Sequence, residues 1–465
     1  MISKSLFKEY DIRGRVGKTL NTHIARKIGH AFGSEVRVQG GNSVVIARDG
    51  RLSSLELTNS IRDGLIISGV DVVDIGMVPT PVGYFAASVP LMLYKCKRQR
   101  SNSCIVVTGS HNPRDYNGFK MVLLGKAIYG EKVQELYQRI INERFELGSG
   151  VYEQINISDD YIDRIVSDVK LVRPIKIVVD TGNGVAGKLA PRLFKALDCK
   201  FIELFTDING YFPNHHPDPA NPKNLQEVIR ALKETDAEVG LAFDGDGDRI
   251  GVVSKDGQII FPDRLLMLFA EEILSNNPGA GIIYDVKCTR HLEKWIKDKG
   301  GKPIMWKSGH SLMREKLYET GALLAGEMSG HIFFKDRWYG FDDGLYTAAR
   351  LLEILSKTQN SSNLLNALPH AISTPELKLK LNEDENFVLI DLLQKESVFE
   401  DAEKVVKIDG LRIEYPDGFG LIRSSNTIPA VVLRFESETK AGLEQIQKDF
   451  RRVLTMVRPG LKLPF

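Results

Sequence analysis

VGLAFDGDGD (239–248) is an apolar run that ends abruptly in three aspartates separated by glycines. Its first half reads as a buried strand and its second half as a polar loop at the strand's carboxyl end. Upstream, IKIVVDTGNGVAG (175–187) reads as a strand, a glycine turn and a helix start. Further back, SVVIARD (43–49) reads as a strand, followed by a helix over LELTNSIRDGLIISG (55–69) with Leu57, Ile61, Leu65 and Ile66 on one side and Gly69 near its end. DVVDIG and SCIVVTG (103–109) add further strands. Downstream, a third cycle begins near residue 259, with a helix around LLMLFAEEIL, the strands GIIYDV and KPIMW, and the run ALLAGEMSGH. Strand and helix alternating in this way predict a mainly parallel α/β sheet in each cycle. The letters of the cycles differ too much to establish a repeat. Their layout recurs, because each closes with an apolar strand feeding a Gly-rich polar loop: TGSHNP, DGDGD and GEMSGH.

Around 356–375 the composition changes. SKTQNSSN and a Pro/Ser/Thr stretch to Pro375 read as a boundary. Beyond it lie strands near 377–381, 411–415 and 430–436 and a closing helix with Leu443, Ile446, Phe450 and Leu454 on one face. This is the pattern of a smaller α+β domain, with its own polar loop RSSNT (423–427). A chain of 465 residues is long enough for three or four domains.

Hydrophobic residues make up 43% and charged residues 26%, the balance of a globular protein in water. A net charge of +2 supplies no global field toward nucleic acid or membrane. No apolar run reaches the roughly 18 residues of a membrane span, and the opening MISKSLFKEYDIRG lacks a secretory apolar stretch. The four cysteines, Cys96, Cys104, Cys199 and Cys288, form no C-x-x-C pair, so neither a disulfide framework nor a zinc site is indicated. A cytoplasmic enzyme with reduced thiols is expected.

The loops sit where open α/β sheets bind ligands, outside the carboxyl ends of strands. One cleft shared by all the domains explains them more economically than four separate sites. In DGDGDRIG, alternating glycines let Asp244, Asp246 and Asp248 converge, and three hard anionic oxygens suit Mg²⁺ or a similar cation. A plain surface turn is the bland alternative. An EF-hand is excluded because Lys255 stands at the twelfth loop position. TGSHNPRDYNGFK holds Ser110 and His111. A serine hydrolase is disfavoured, since there is no G-x-S-x-G elbow and neighbouring residues rarely aim their side chains at each other. A serine at a strand mouth can instead carry a phosphate, with Lys120 downstream as a cation or proton-transfer group; a helix cap is its bland alternative. RSSNT offers a guanidinium, hydroxyls, an amide and backbone N–H groups suited to a phosphate. Glu327 and Ser329 of GEMSGH can bond sugar hydroxyls, and Lys307 and His310 of KSGHS stand nearby in sequence, though a lone histidine is more often structural.

YDIRG (10–14), TGSHNP, DGDGDR, GEMSGH and RSSNT, in this order and spacing, resemble the α-D-phosphohexomutase family over essentially the whole chain. That resemblance implies three topologically related α/β domains with mixed, mainly parallel sheets and a C-terminal α+β domain around a central cleft. Their expected extents are 1–156 with a phosphoserine loop, 157–258 with a metal-binding loop, 259–370 with a sugar-binding loop and 371–465 with a phosphate-binding loop. It implies interconversion of mannose 1- and 6-phosphate and of glucose 1- and 6-phosphate. An amino-sugar phosphate mutase and a non-catalytic sugar-phosphate sensor are the competing readings. Ser110 is implied as the phosphoserine and, with Asp244, Asp246 and Asp248, as ligand to one Mg²⁺ per subunit; hexose 1,6-bisphosphate is implied as activator and intermediate. His111, Lys120, Arg249 and His310 fall at catalytic positions. Tyr10, Arg13, Lys287, Glu327, Ser329, Gly330, His331, Arg423, Ser424, Ser425, Asn426 and Thr427 fall at substrate-binding ones. The expected partners are small-molecule hexose phosphates, with no nucleic acid or membrane, and a monomer is expected. One stretch departs from the family. PLMLYKCKRQRSNSC (90–104), with Lys95, Lys97, Arg98 and Arg100, is longer and more basic than the usual link, and an exposed insertion is expected there.

Overall fold

The computed structural model describes residues 2–91, 101–382, 385–425 and 429–465. The basic segment Lys95 to Arg100, with Cys96, lies outside the described residues, as do Asn426 and Thr427. Four sheets follow one another along the chain. In the first, the parallel strands Tyr152–Gln154, Asp71–Met77, Ser43–Arg48 and Cys104–Val107 are followed by the antiparallel Tyr116–Leu123 and Ile12–Arg15. The second runs Lys200–Leu204, Lys176–Asp180 and Val239–Phe243 in parallel, then Ile250–Ser254 antiparallel. The third runs Lys302–Trp306, Gly281–Asp285 and Leu324–Gly326 in parallel, then Ile332–Phe334 antiparallel. The fourth is antiparallel throughout.

Each of the first three sheets thus ends its parallel run on a strand that turns back on itself. The three turns are the loops TGSHNP, DGDGD and EMSGH. Topology supplies the relationship that the letters do not.

Burial explains why these units do not behave as beads on a string. Along Ser43–Arg48, Val44 and Ile46 face a core formed with the helices Thr22–Val38 and Ser54–Ile67. Their neighbours Val45 and Ala47 face the opposite way, as strand alternation requires. They enter a second core that also contains Ile177, Val179, Leu241 and Phe243 of the second sheet and Ile282, Leu324 and Phe334 of the third. Three units therefore share one apolar interior.

The fourth sheet has its own core, built on Leu411, Ile413, Leu433, Phe435 and the helix Lys440–Val457 with Ile446, Phe450 and Leu454. It grips the third unit by buried charge. The Arg412 guanidinium lies 3.6 Å from the Phe419 ring centroid and donates to the carbonyls of Val286 and Cys288 at 2.6 and 2.7 Å. Arg434 donates to the Lys287 carbonyl, and Thr289 Oγ1 to Glu436 at 2.7 Å.

Several elements go beyond the sequence expectation. Within the expected boundary stretch, Ser361–Asn366 forms a short helix capped by the Asn360 side chain. Ile259–Ile260 pairs with the second sheet, and the first helix of the third unit starts at Pro262. In the last unit, Glu385–Glu396 is a helix, and Lys404–Val406 and Gly418–Ser424 are strands. Glycines at 418 and 420 hide the alternation of the latter. Among the described residues, no helix is long and apolar enough to cross a membrane.

Candidate active site

The aspartate turn is closed by its own first carboxylate. Asp244 Oδ1 accepts the N–H groups of Gly247, Asp248 and Arg249 at 3.1, 3.1 and 3.2 Å. A Cβ at position 245 would lie 2.4 Å from the Ser110 carbonyl oxygen, so only glycine lets the first two loops touch here. Asp244, Asp246 and Asp248 are fully buried, and one oxygen from each lies within 4.8 Å of the others. Asp246 Oδ2 accepts from Thr80 Oγ1 at 2.7 Å, Thr108 Oγ1 at 3.1 Å and Lys120 Nζ at 2.8 Å. Lys120 also bonds Asp248 Oδ2. Asp246 Oδ1 and Asp248 Oδ1 are buried without any hydrogen-bond partner. Two orphaned carboxylate oxygens beside a third carboxylate are costly unless a cation joins them, and the donor set fits a hard divalent ion.

The electrostatics carry the same strain. Burial, with Asp246 and Asp248 adding to it, pushes the Asp244 carboxyl well above the ordinary carboxylate range. Burial and Asp246 push Asp248 up to about 7. Burial works against the charged form of Asp246 too, but the Lys120 ammonium holds that group well below 3.8. The same partners outweigh burial at Lys120, whose pKa is well raised, so it stays a cation.

Ser110 stands on this cradle. Its Oγ donates to Asp244 Oδ2 at 2.9 Å and lies 3.1 Å from His111 Nδ1. The adjacent serine and histidine do aim at each other, against the sequence expectation. The physical reason is a φ of +48° at Ser110, which swings the two side chains to one side of the turn. No helix starts there, so the cap reading of Ser110 is removed. Burial, then Arg249 and Arg13, lower the His111 pKa well below 6.5, leaving a neutral ring beside the hydroxyl.

The strained turn is held by Arg51, which the sequence reading missed. Its Nη2 donates to the carbonyls of Ser110 and Asn112 at 2.7 and 2.6 Å, and its Nη1 to those of Pro113 and Tyr116 at 2.7 and 3.1 Å. Asp49 lies 3.3 Å from Arg51 Nε and accepts from Thr108 Oγ1 and the Gly109 N–H at 2.9 and 3.0 Å. The Phe212 ring covers the guanidinium at 5.2 Å.

Arg249 links the second unit to the third. Its Nε donates to His331 Nε2 at 2.9 Å and lies 3.9 Å from Asp244 Oδ2. His331 Nδ1 is 2.8 Å from Asp342 Oδ2. Asp342 is a second missed residue, and with Asp248 and His331 it forms another group of potential metal ligands. Its only sequence signal is the pair Asp342–Asp343 after Phe341. Burial and neighbouring charges leave His331 lowered and His310 well lowered in pKa. The His310 ring stands 5.5 Å from that of His331 and 6.5 Å from that of Tyr10.

In EMSGH, Glu327 Oε1 accepts the Gly309 N–H at 2.7 Å and Ser308 Oγ at 3.2 Å, while Oε2 is buried with no partner. Gly330 donates to the Glu327 carbonyl at 3.0 Å and closes the turn around Ser329. Tyr10 donates to the Ser308 carbonyl at 2.8 Å, and Arg13 bonds Asn112 and Asp11, bringing the first unit to the same cleft. Lys287 Nζ lies 3.1 Å from Glu376 Oε1 and 3.7 Å from Asp285 Oδ2. Lys307, by contrast, is exposed. From the fourth unit, Arg423 donates to Asp409 at 3.0 Å, and Asp409 accepts the Ser308 N–H at 2.9 Å. Asn386 donates to Ser424 Oγ and to the Ser425 carbonyl at 2.9 and 3.1 Å.

A serine hydroxyl bonded to one of three clustered carboxylates, with an ammonium among them and arginines from separate units around them, is the equipment of a metal-assisted group-transfer enzyme. Comparison with known proteins narrows that class. Models of the phosphoglucomutase/phosphomannomutase alpha/beta/alpha domains I, II and III match residues 4–147, 159–257 and 261–372, and that of the C-terminal domain matches 376–453. The chain is 51% identical over 462 residues to a phosphomannomutase/phosphoglucomutase of Pseudomonas putida, covering 99% of this chain and 98% of that one. It is 53% identical to a phosphoglucomutase of Neisseria meningitidis, with 97% of each covered. A crystal structure of a phosphoglucomutase/phosphomannomutase family protein from Burkholderia thailandensis superposes with a TM-score of 0.96 at 68% identity, covering 100% of both chains. The chain belongs to the phosphoglucomutase/phosphomannomutase family.

Proposed function

We propose that the protein interconverts mannose 1- and 6-phosphate and glucose 1- and 6-phosphate through a phosphorylated Ser110. The observation that carries this reading is the Ser110 hydroxyl 2.9 Å from Asp244, in a cradle where Asp246 and Asp248 each keep an unpartnered oxygen. Names of relatives at half identity or more over nearly the whole chain favour mannose and glucose over an amino sugar, and an isomerase over a passive sensor. Asp244, Asp246 and Asp248, with an oxygen on Ser110, would hold one Mg²⁺. When bound, that ion would spread the negative charge of the transferring phosphoryl group.

The chain's own residues do the rest. Phospho-Ser110 passes its phosphoryl group to the free hydroxyl of a hexose monophosphate; the hydroxyl proton leaves to a neutral base, and a hexose 1,6-bisphosphate forms. His111 and His310, both neutral by burial, are the candidates to accept that proton. The intermediate then reorients and returns its other phosphate to Ser110, and the sugar oxygen that is released takes back a proton to become the product's hydroxyl. Lys120 and Arg249 offset the repulsion between the phosphoserine, at about −1.5 to −2 charge, and the incoming phosphate. Arg423, with Ser424, Ser425, Asn426 and Thr427, holds the phosphate that does not react. Glu327 Oε2 and Ser329 read the sugar hydroxyls, with Tyr10, Arg13, Lys287, Gly330 and His331 around them. The four units extend over 1–156, 157–258, 259–370 and 371–465, with the short strand Ile259–Ile260 lent to the second sheet, and the protein acts as a monomer in the cytoplasm.

Purified protein, assayed on the four sugar phosphates with Mg²⁺, should interconvert each pair, and intact mass should show one phosphate on Ser110. Ser110→Ala should lose both. Turnover near wild type in that variant would remove the proposed mechanism.

A further inference from the structure

Seven arginines are buried among the described residues: Arg51, Arg264, Arg314, Arg350, Arg412, Arg423 and Arg434. Six have conventional partners. Arg51, Arg264, Arg412 and Arg434 donate to main-chain carbonyls, Arg350 to Asp336 and Glu272, and Arg423 to Asp409. Arg314 is the exception. It is 6% exposed, its Nε is buried without an acceptor, and it makes no hydrogen bond or ion pair with any described residue. Its guanidinium rests over the Tyr84 ring at 5.2 Å, and its N–H groups find no acceptor among the described residues.

This side chain lines a cavity of about 290 Å³ at the junction of the first and third units. Ala87, Ser88, Asn102, Val122 and Gly125 form the wall from the first unit, and Tyr318 and Tyr339 the wall from the third. None of these carries negative charge. Two ionisable neighbours of Arg314 are neutral as well. Burial pushes the Cys104 thiol up to about 12 in spite of Arg314, and burial raises the Tyr84 phenol well above its ordinary range. A buried guanidinium Nε without an acceptor is costly. A planar fork of N–H donors is matched best by an oxyanion.

We propose that this cavity is a second anion site, in which a compact phosphate or carboxylate group, free or carried by a small metabolite, bonds the Arg314 guanidinium. Its position separates it from the phosphate loop of the fourth unit while tying it to the catalytic cleft. Arg314 lies one turn beyond His310 on the helix His310–Thr320. Tyr84 lies on the helix Thr80–Ala86, whose first residue bonds Asp246. A ligand here therefore touches the backs of two elements whose fronts face the carboxylate cradle.

Crystals of the unaltered protein soaked in sodium selenate test this directly. An anomalous peak within hydrogen-bond reach of Arg314 is expected, and its absence overturns the proposal. In solution, Arg423→Gln weakens phosphate binding in the cleft and isolates the second site. In that background, thermal stabilisation by inorganic phosphate and by citrate should persist, with the stronger ligand identifying the preferred group. Adding Arg314→Gln should weaken that response about tenfold or more, and a change within about twofold would refute the assignment. If Arg314→Gln does not fold, Arg314→Lys, which keeps the charge but not the fork, should bind phosphate more weakly than the Arg423→Gln parent. Equal binding would again count against the site.

Discussion

Arg51 touches no atom of the proposed reaction, yet Arg51→Lys should slow turnover severely. The native guanidinium donates four hydrogen bonds to carbonyls spread from Ser110 to Tyr116. Hydrogen bonds from charged donors contribute about 1.5–3 kcal/mol each when the partner is otherwise unsatisfied. A lysine ammonium is a point donor and reaches one or two of those carbonyls, so the loop loses on the order of 3–5 kcal/mol of restraint. Against this stands the left-handed φ at Ser110, which costs about 1–3 kcal/mol to maintain. With the clamp weakened, the loop should relax and carry Oγ away from Asp244. Misplacement worth about 3 kcal/mol corresponds to a fall in kcat of roughly a hundredfold. KM should change little, because Glu327 and Arg423 lie on other units. The assay is steady-state turnover of glucose 1-phosphate, with intact mass to follow phosphate on position 110 and circular dichroism to establish folding. A folded Arg51→Lys protein with kcat within about threefold of wild type would refute the clamp.

Glu327→Gln keeps an acceptor for the Gly309 N–H but turns the unpartnered Oε2 into a donor. It should lower kcat/KM by about 10- to 100-fold on both glucose and mannose phosphates, and unchanged kinetics would assign Glu327 a purely structural role. Removing divalent cations with a chelator should abolish turnover and lower Tm, with Mg²⁺ restoring both; the Mg²⁺-dependent rise in Tm should vanish in Asp246→Asn. Asp343 caps the helix Gly344–Ser356 and accepts from Tyr161, and burial pushes its carboxyl up to about 7 from an ordinary 3.8. Because the folded state then holds the extra proton, this group lowers stability as pH rises from about 4 to about 7. Asp343→Asn keeps the cap and should flatten that decline, measured as denaturant midpoints at several pH values; an identical slope in the variant would count against the raised pKa.

Local sequence encodes what local geometry decides. The aspartate turn is legible because glycine spacing and carboxylate spacing both act within five residues, and the strand before it is legible from its apolar run. Arg51 was not legible. Its partners are main-chain carbonyls some sixty residues away, and carbonyls carry no letter in a sequence. Asp342 and Ser308 share that difficulty, since each matters only through contacts that folding creates. The pairing of Ser110 with His111 is illegible for the opposite reason. Adjacent side chains diverge in ordinary extended or helical backbone, and only the left-handed turn brings them together. In the last unit, sheet order hid behind glycines and short strands, whereas the closing helix announced itself by its stripe of Leu443, Ile446, Phe450 and Leu454.

The ionic grip between the last two units bears on how the cleft can open. Arg412 and Arg434 fasten the main chain on both sides of Lys287, and Glu436 fastens Thr289. Contacts of this kind have a short reach, and a guanidinium drawn away from these carbonyls keeps only its own unit's carboxylate, Glu414 for Arg412 and Glu436 for Arg434. Swinging the C-terminal unit must either drag the Lys287 loop with it or release the whole set at once. Either course ties the position of the C-terminal unit to that of Lys287.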